Sequence, residues 1–264
     1  MDFSFKEKYG FDDLVRIMRL LRGPGGCPWD AEQTHQSIRK NLIEETYEAV
    51  EAIDAQDPAL LLEELGDVLL QVVYHAVMEE EQGSFCIDDV CDGVCQKLLR
   101  RHPHIFGGAK ADTAQEVLDN WEAVKRQEKG QKTAAEALKS VPKVLPALMR
   151  AEKIQQRAAR AGMDYDSLAG ALADLKREIA ELEQALAEES PQAQQLELGD
   201  VLFSAVNVSR FLHADPEEAL GLSCEKFVRR FEGVEQLALQ RGIELRSAGI
   251  QRLDELWRQV KEDC

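Results

Sequence analysis

Glu64-Leu65-Gly66-Asp67-Val68-Leu69 returns 133 residues later as Glu197-Leu198-Gly199-Asp200-Val201-Leu202. Upstream, Glu45 and Glu48 return at the same offset as Glu178 and Glu181. Downstream, Lys97-Leu98-Leu99-Arg100-Arg101 returns as Lys226-Phe227-Val228-Arg229-Arg230, and Trp121 with Lys125 as Trp257 with Lys261. Four matches in one order at a nearly constant offset identify a tandem duplication. Gly130, Pro142 and Pro146 interrupt the pattern. The expected organisation is therefore a helical N-terminal domain over 1–130, a related C-terminal domain over 131–264, and a linker at about 130–146.

Around these motifs the apolar residues follow a helical period, and no segment sustains period-two alternation. Helices are expected over 12–22, 32–55, 59–82, 87–101 and 114–128, with Gly, Pro and Asp at their stops. The expected fold class is all-α.

The spacing of the acidic residues carries the chemistry. Residues three or four apart on a helix share a face, so Glu45 and Glu48 project together beside Glu44, and Glu64 projects with Asp67. The segment from Leu60 to Met78 is apolar around most of its circumference, with Asp67, Gln71 and His75 as a narrow polar stripe. The second copy has Glu197, Asp200, Ser204 and Asn207 in a similar setting. A helix apolar nearly all round is normally buried. Two such helices side by side bring four carboxylates together, which repel unless a cation lies between them. All-oxygen ligands suit Mg²⁺, with Mn²⁺ as a substitute, better than Zn²⁺. A solvated helix face explains either motif alone but not their ordered repetition.

Composition narrows the partners. With 49 acidic and 32 basic residues the net charge is −17, which disfavours binding to a nucleic-acid backbone. A small anion remains possible through a bound cation and local Lys and Arg. Lys97 with Arg101, and Lys226 with Arg230, each share a helical face and suit phosphate oxygens. Trp121 and Trp257 precede Lys125 and Lys261 by one turn, and each indole serves either a ligand or the core. No apolar run reaches the ~20 residues of a membrane span, and Met1-Asp2-Phe3 opens no secretory signal, so a cytoplasmic protein is expected. The six cysteines form no zinc set and are expected to be thiols without a role. His102 and His104 flank Pro103, which suits a helix end.

Glu44-Glu45-Thr46-Tyr47-Glu48 followed by Glu64-Leu65-Gly66-Asp67 resembles the MazG family of nucleoside triphosphate pyrophosphohydrolases. Gly26-Cys27-Pro28-Trp29-Asp30, Gln33-Thr34-His35, Lys97 to His104, and Pro146 to Arg150 resemble further blocks of its two-domain form. The resemblance implies a tandem pair of four-helix-type bundles, homodimerisation through the bundles, and hydrolysis of NTPs or dNTPs to nucleoside monophosphate and pyrophosphate, a house-cleaning of nucleotide pools. It also implies that Glu45, Glu48, Glu64 and Asp67, and likewise Glu178, Glu181, Glu197 and Asp200, ligate Mg²⁺. Catalysis is expected in the second set, with Lys226, Arg230, Trp257, Lys261 and Arg177 at the substrate. Glu44, Lys97, Arg101, Trp121 and Lys125 are the first-copy candidates.

One departure is visible, because Arg177 stands where the first copy has Glu44. This cation either perturbs the neighbouring ligands or contacts a phosphate. Neither half has the Gly-rich Lys-Ser/Thr loop of a P-loop NTPase. A di-iron bundle needs Glu-x-x-His units, and neither His75 nor His213 has a Glu at that spacing. A dUTP or phosphoribosyl-ATP hydrolase would use the same ligands, and a helical scaffold would not need them. No residue pattern identifies a protein partner.

Overall fold

The computed structural model describes residues 3–111, 113–128, 130, 133–188 and 190–263. Among them all regular structure is helical, as the periodicity requires. The chain forms two compact units, Met1–Lys125 and Arg126–Cys264.

The first unit contains α1 (Phe11–Arg22), α2 (Pro28–Glu32), α3 (Arg39–Asp54), α4 (Pro58–Glu81), α5 (Ile87–Arg101), α6 (Pro103–Phe106) and most of α7 (Ala114–Glu128). Asp57 and Pro58 start α4: the Asp57 carboxylate accepts from the backbone N–H of Ala59 and Leu60, and Pro58 takes the first position. At its other end Gly83 turns the chain at φ 72°, a conformation suited to glycine. The α4 residues Val73, Tyr74, Ala76, Val77 and Met78 are buried with Val15 and Met18 of α1, Ile38, and Ile87 of α5. The helix expected over 32–55 is divided: α2 ends at Glu32 and α3 begins at Arg39. Between them Thr34 and Ser37 exchange side chain–backbone hydrogen bonds, offering the chain a local turn in place of helix.

The second unit contains α8 (Ala134–Lys139), α9 (Ala147–Arg160), α10 (Leu168–Glu188), α11 (Pro191–Phe211), α12 (Pro216–Gln240) and α13 (Gly249–Asp263). Ser190-Pro191 and Asp215-Pro216 cap α11 and α12 as Asp57-Pro58 caps α4. α10 lies along α11 as α3 lies along α4, which sets the two acidic motifs of each half side by side. Val234, Ala238, Leu256 and Val260 form the core between α12 and α13. The stretch expected as a linker contains α8 and the buried Val141, and its residues 131 and 132 lie outside the described residues.

The expected burial of the carboxylate-bearing helices holds only in part. The C-terminal half of α4 is buried, but Leu62, Leu65, Leu69 and Val72 are exposed. Leu198 and Leu202, the counterparts of Leu65 and Leu69, are exposed on α11. In each half one long neighbour lies along the acidic side, and α1 or α9 packs on another.

Cys27, Cys86, Cys91, Cys95 and Cys224 are free thiols, and Cys264 lies outside the described residues. His102 closes α5 by donating its backbone N–H to the Leu98 carbonyl, the helix-end role its flanking proline suggests.

Candidate functional site

In the first half, carboxylate oxygens of Glu45 and Glu48 on α3 and Glu64 on α4 all lie within 4.8 Å of one another. Asp67 lies outside this trio but acts on it. Burial pushes the Glu45 carboxyl up from its ordinary 4.5, helped by the Asp67 charge and by Glu48. Glu64 is raised by burial and by the charges of Glu48, Glu63 and Asp67. Glu44 is exposed and is not part of the trio.

In the second half the converging trio is Glu178 on α10 with Glu197 and Asp200 on α11, again within 4.8 Å. Glu178 is only 9 % exposed, and burial raises its carboxyl despite the opposing pull of Arg177. Glu181 is not in the trio, because Arg177 holds it at 2.8 Å while also bonding Glu178 at 2.7 Å and Asp174. The Arg177 pKa is raised by its hydrogen bonds to Asp174 and Glu181 and by the Glu178 charge. Arg177 thus acts as an internal counter-ion for a cluster that in the first half has none at this position.

Both trios present only oxygen donors, close together, and Glu45, Glu64 and Glu178 among them are raised by burial and by neighbouring carboxylates. That donor set can hold a hard divalent ion, which relieves the repulsion. The pH consequence follows from the sign of the shifts. Raised carboxyls bind protons more tightly in the folded chain, so their stabilisation is complete below the ordinary value near 4.5 and is lost as pH rises through the raised values. A divalent ion competes with those protons. The rise in melting temperature produced by Mg²⁺ over EDTA is therefore expected to be several degrees at pH 7.5 and to shrink toward pH 5 (about 2–4 °C per kcal/mol for larger domains). An equal rise at both pH values would contradict this account of the trios.

The basic and aromatic followers divide between roles. The Arg101 guanidinium lies 4.9 Å and the Lys125 ammonium 4.5 Å from the Trp121 ring centroid, so two candidate cations share one indole. Trp257 lies 5.1 Å from Phe227 and packs against the α12–α13 core, which gives this indole a structural task. Lys97, Lys226, Arg230 and Lys261 make no ion pair among the described residues.

Beside the second trio lies a cavity of about 360 Å³. Its polar lining is Gln155, Asp164, Asp174, Ser204, Asn207 and Arg210, with Phe203 and Tyr165 among its apolar walls. Asp174 is one helical turn before Glu178, and Ser204 one turn after Asp200, so the cavity continues the carboxylate seam between α10 and α11. Ser204 donates to Asp174 across that seam at 2.8 Å. Burial works to raise Asp174, but hydrogen bonds from Arg177, Tyr165 and Ser204 prevail and hold it below the usual carboxylate range. Ser204 and Asn207 stand out in the sequence as the polar stripe of α11. Gln155 on α9 has no such signal, because nothing near it in the chain marks it as close to α11.

The Gly26–His35 block is tied to the back of α4. Gly26 must be glycine, since a Cβ there would meet the Leu20 and Leu21 carbonyl oxygens at 2.3 Å. The Tyr74 hydroxyl lies 2.9 Å from the Asp30 carbonyl oxygen and 3.1 Å from its carboxylate, and Arg22 donates to the Asp30 and Gln33 carbonyls. His35 and His75 stack, with their Nδ1 atoms 2.7 Å apart, and His35 Nε2 is 2.8 Å from the Glu79 carboxylate. Burial and the neighbouring His35 lower the His75 pKa. This block therefore positions α4 from behind.

Comparison with known proteins agrees with the geometry. The family model described as "MazG nucleotide pyrophosphohydrolase domain" matches twice, over residues 33–106 and 167–234. A Thermotoga maritima protein named nucleoside triphosphate pyrophosphohydrolase/pyrophosphatase MazG is 44 % identical, covering 95 % of this chain and 95 % of its own. An Escherichia coli K12 protein named nucleoside triphosphate pyrophosphohydrolase is 43 % identical over 95 % of this chain and 96 % of its own. The uncharacterized Bacillus subtilis protein YabN is 45 % identical over 96 % of this chain, which spans 52 % of the YabN length.

Proposed function

Because this chain belongs to the MazG nucleotide pyrophosphohydrolase family, we propose that its second carboxylate trio holds Mg²⁺ and is where a nucleoside triphosphate is cleaved. The chain is a nucleoside triphosphate pyrophosphohydrolase that releases nucleoside monophosphate and pyrophosphate. The observation that supports placing turnover in the second half is the cavity one helical turn from Glu178 and Asp200, large enough for a nucleoside. With the nucleoside there, the α-phosphate reaches the trio and the outer phosphates extend beyond it.

Mg²⁺ bound there supplies charge neutralisation of the phosphate oxygens and lowers the pKa of a water. Glu178, Glu197 and Asp200 are the residues that would hold it, and Glu181 would join them if released from Arg177. Arg177 is then freed toward a phosphate oxygen, exchanging one set of anionic partners for another. Lys226 and Arg230, uncommitted to any described acid, suit the outer phosphates. A carboxylate oxygen not engaged with the ion accepts the proton of the attacking water. The first trio, Glu45, Glu48 and Glu64 with Asp67 beside them, would hold Mg²⁺ as a second copy.

The exposed leucines of α4 and α11 support a homodimer closed through the bundles. Among the described residues no helix is long and apolar enough to cross a membrane. Action on the cytoplasmic nucleotide pool, removing triphosphates from it, belongs to the same reading.

The test is the stoichiometry of products from an NTP and dNTP panel with Mg²⁺ and with EDTA. One monophosphate and one pyrophosphate per turnover, only with Mg²⁺, is expected; equal turnover in EDTA would remove the metal from the mechanism. Arg177→Glu, which restores the acidic residue of the first copy, is expected to lower the half-saturating Mg²⁺ concentration roughly tenfold, since affinity follows the ligand charge count. The same variant should raise KM for the nucleotide. Unchanged Mg²⁺ dependence would show that Arg177 does not compete for the trio.

A further inference from the structure

We infer that the cavity beside the second trio reads the nucleobase and favours bases carrying an exocyclic amino group at the pairing edge, adenine and cytosine, over their carbonyl counterparts hypoxanthine and uracil. This rests on the reading that the cavity takes the nucleoside.

Gln155 carries the argument. It is 6 % exposed and lines the cavity. Its amide orientation is set by Nε2, which donates to the Phe203 carbonyl at 2.7 Å. Its Oε1 is then left buried without a hydrogen-bond partner. A buried carbonyl oxygen with no donor is uncommon in folded proteins, and a ligand that brings an N–H to it repairs the deficit. The two carboxylates of the lining are already engaged: Asp174 accepts from Arg177, Tyr165 and Ser204, and Asp164 accepts from Arg210.

The donors on the lining are more constrained. Arg210 donates from Nη1 and Nη2 to the Asp164 carboxylate on one side, and from Nη2 and Nε to Asn207 Oδ1 at 2.9 and 3.1 Å on the other. Its charge is committed within the wall. Because Asn207 Oδ1 accepts from Arg210, the Asn207 amide nitrogen is its remaining polar end, and that end only donates. Among the described side chains of the lining, Gln155 Oε1 is an acceptor without a partner, closed to water until a base parts the side chains over it, and Asn207 Nδ2 is a donor without one. Adenine presents an amino group next to the ring acceptor N1, and cytosine an amino group next to N3. Hypoxanthine and uracil place a carbonyl oxygen where the amino group stands, so that two acceptors face one another, and a protonated ring nitrogen where the acceptor stands, so that two donors do.

The test compares kcat/KM for the matched pairs ATP against ITP and CTP against UTP, in wild type and in Gln155→Met, which keeps side-chain length and removes the acceptor. Wild type is expected to favour the amino base in each pair by at least about tenfold, a modest part of what a hydrogen-bonding site can achieve. In Gln155→Met both ratios should fall toward one, through lower values for ATP and CTP with ITP and UTP little changed. A purely structural role would lower all four together and overturn the assignment of Gln155. Equal wild-type rates within each pair, or ratios that survive Gln155→Met, would overturn the inference while leaving the pyrophosphohydrolase intact. Absence of hydrolysis for every nucleotide would instead overturn the placement of the activity itself. Asn207→Leu gives a second reading at the donor end and is expected to narrow the same ratios.

Discussion

Asp200→Ala is expected to lower kcat/KM for pyrophosphate release by at least about 100-fold, since even outer-shell partners of a metal ligand cost 10–100-fold when removed. Asp67→Ala is expected to leave most of the turnover in place. The asymmetry follows from what adjoins each trio. Asp200 converges with Glu178 and Glu197 one turn from the nucleoside-sized cavity, whereas Asp67 stands beside its trio. Removing Asp200 also leaves Glu178, whose carboxyl is raised by burial, with fewer partners for a shared cation. The measurement is steady-state pyrophosphate release at saturating Mg²⁺, with circular dichroism to confirm that each variant is folded. Loss in Asp67→Ala alone would move turnover to the first half and make Arg177 the mark of a copy that no longer cleaves. Loss in both variants would show that the two trios act together.

Replacing Leu65, Leu69, Leu198 and Leu202 together by Lys is expected to halve the mass measured by light scattering, converting a dimer into monomers. These four side chains occupy equivalent positions of α4 and α11 and are 54 %, 39 %, 49 % and 52 % exposed. Single exposed leucines are ordinary, but in each half the same apolar positions stand open, and Leu98 and Leu99 in one half and Phe227 and Val228 in the other are exposed as well, an apolar surface suited to a partner. A charge at the centre of such a face is costly to desolvate, so four suffice to prevent pairing without touching the buried core. Helical content and the melting transition of the monomer report whether the fold survives. A wild-type protein already monomeric at micromolar concentration, or a variant that still dimerises, would exclude this face as the interface.

Much of the architecture is legible along the chain because helices write their faces locally. Asp57-Pro58 and Ser190-Pro191 announce the starts of α4 and α11, and the polar stripe of each shows in residues three and four apart. The division of the 32–55 segment was less legible, since Thr34 and Ser37 stop the helix through side chain–backbone bonds that apolar periodicity does not register. The candidate ligands fall on the expected helices, yet which of them converge depends on distances. Glu45, Glu48 and Glu64 meet in one half; Glu178, Glu197 and Asp200 meet in the other, where Arg177 has drawn Glu181 aside.

By itself the sequence determined the duplication, the all-α class, the family and the acidic residues that face one another, because each of these is written within one helix or between two identical stretches. Only the tertiary structure shows that Trp257 packs against the α12–α13 core, that α4 leaves leucines uncovered, and that Gln155 reaches the seam between α10 and α11 with an oxygen left over. The reason is distance along the chain: Gln155 and Phe203 are 48 residues apart, and no local period connects them. Packing of α9 against α11 brings them together, and the chemistry of the cavity begins at that contact.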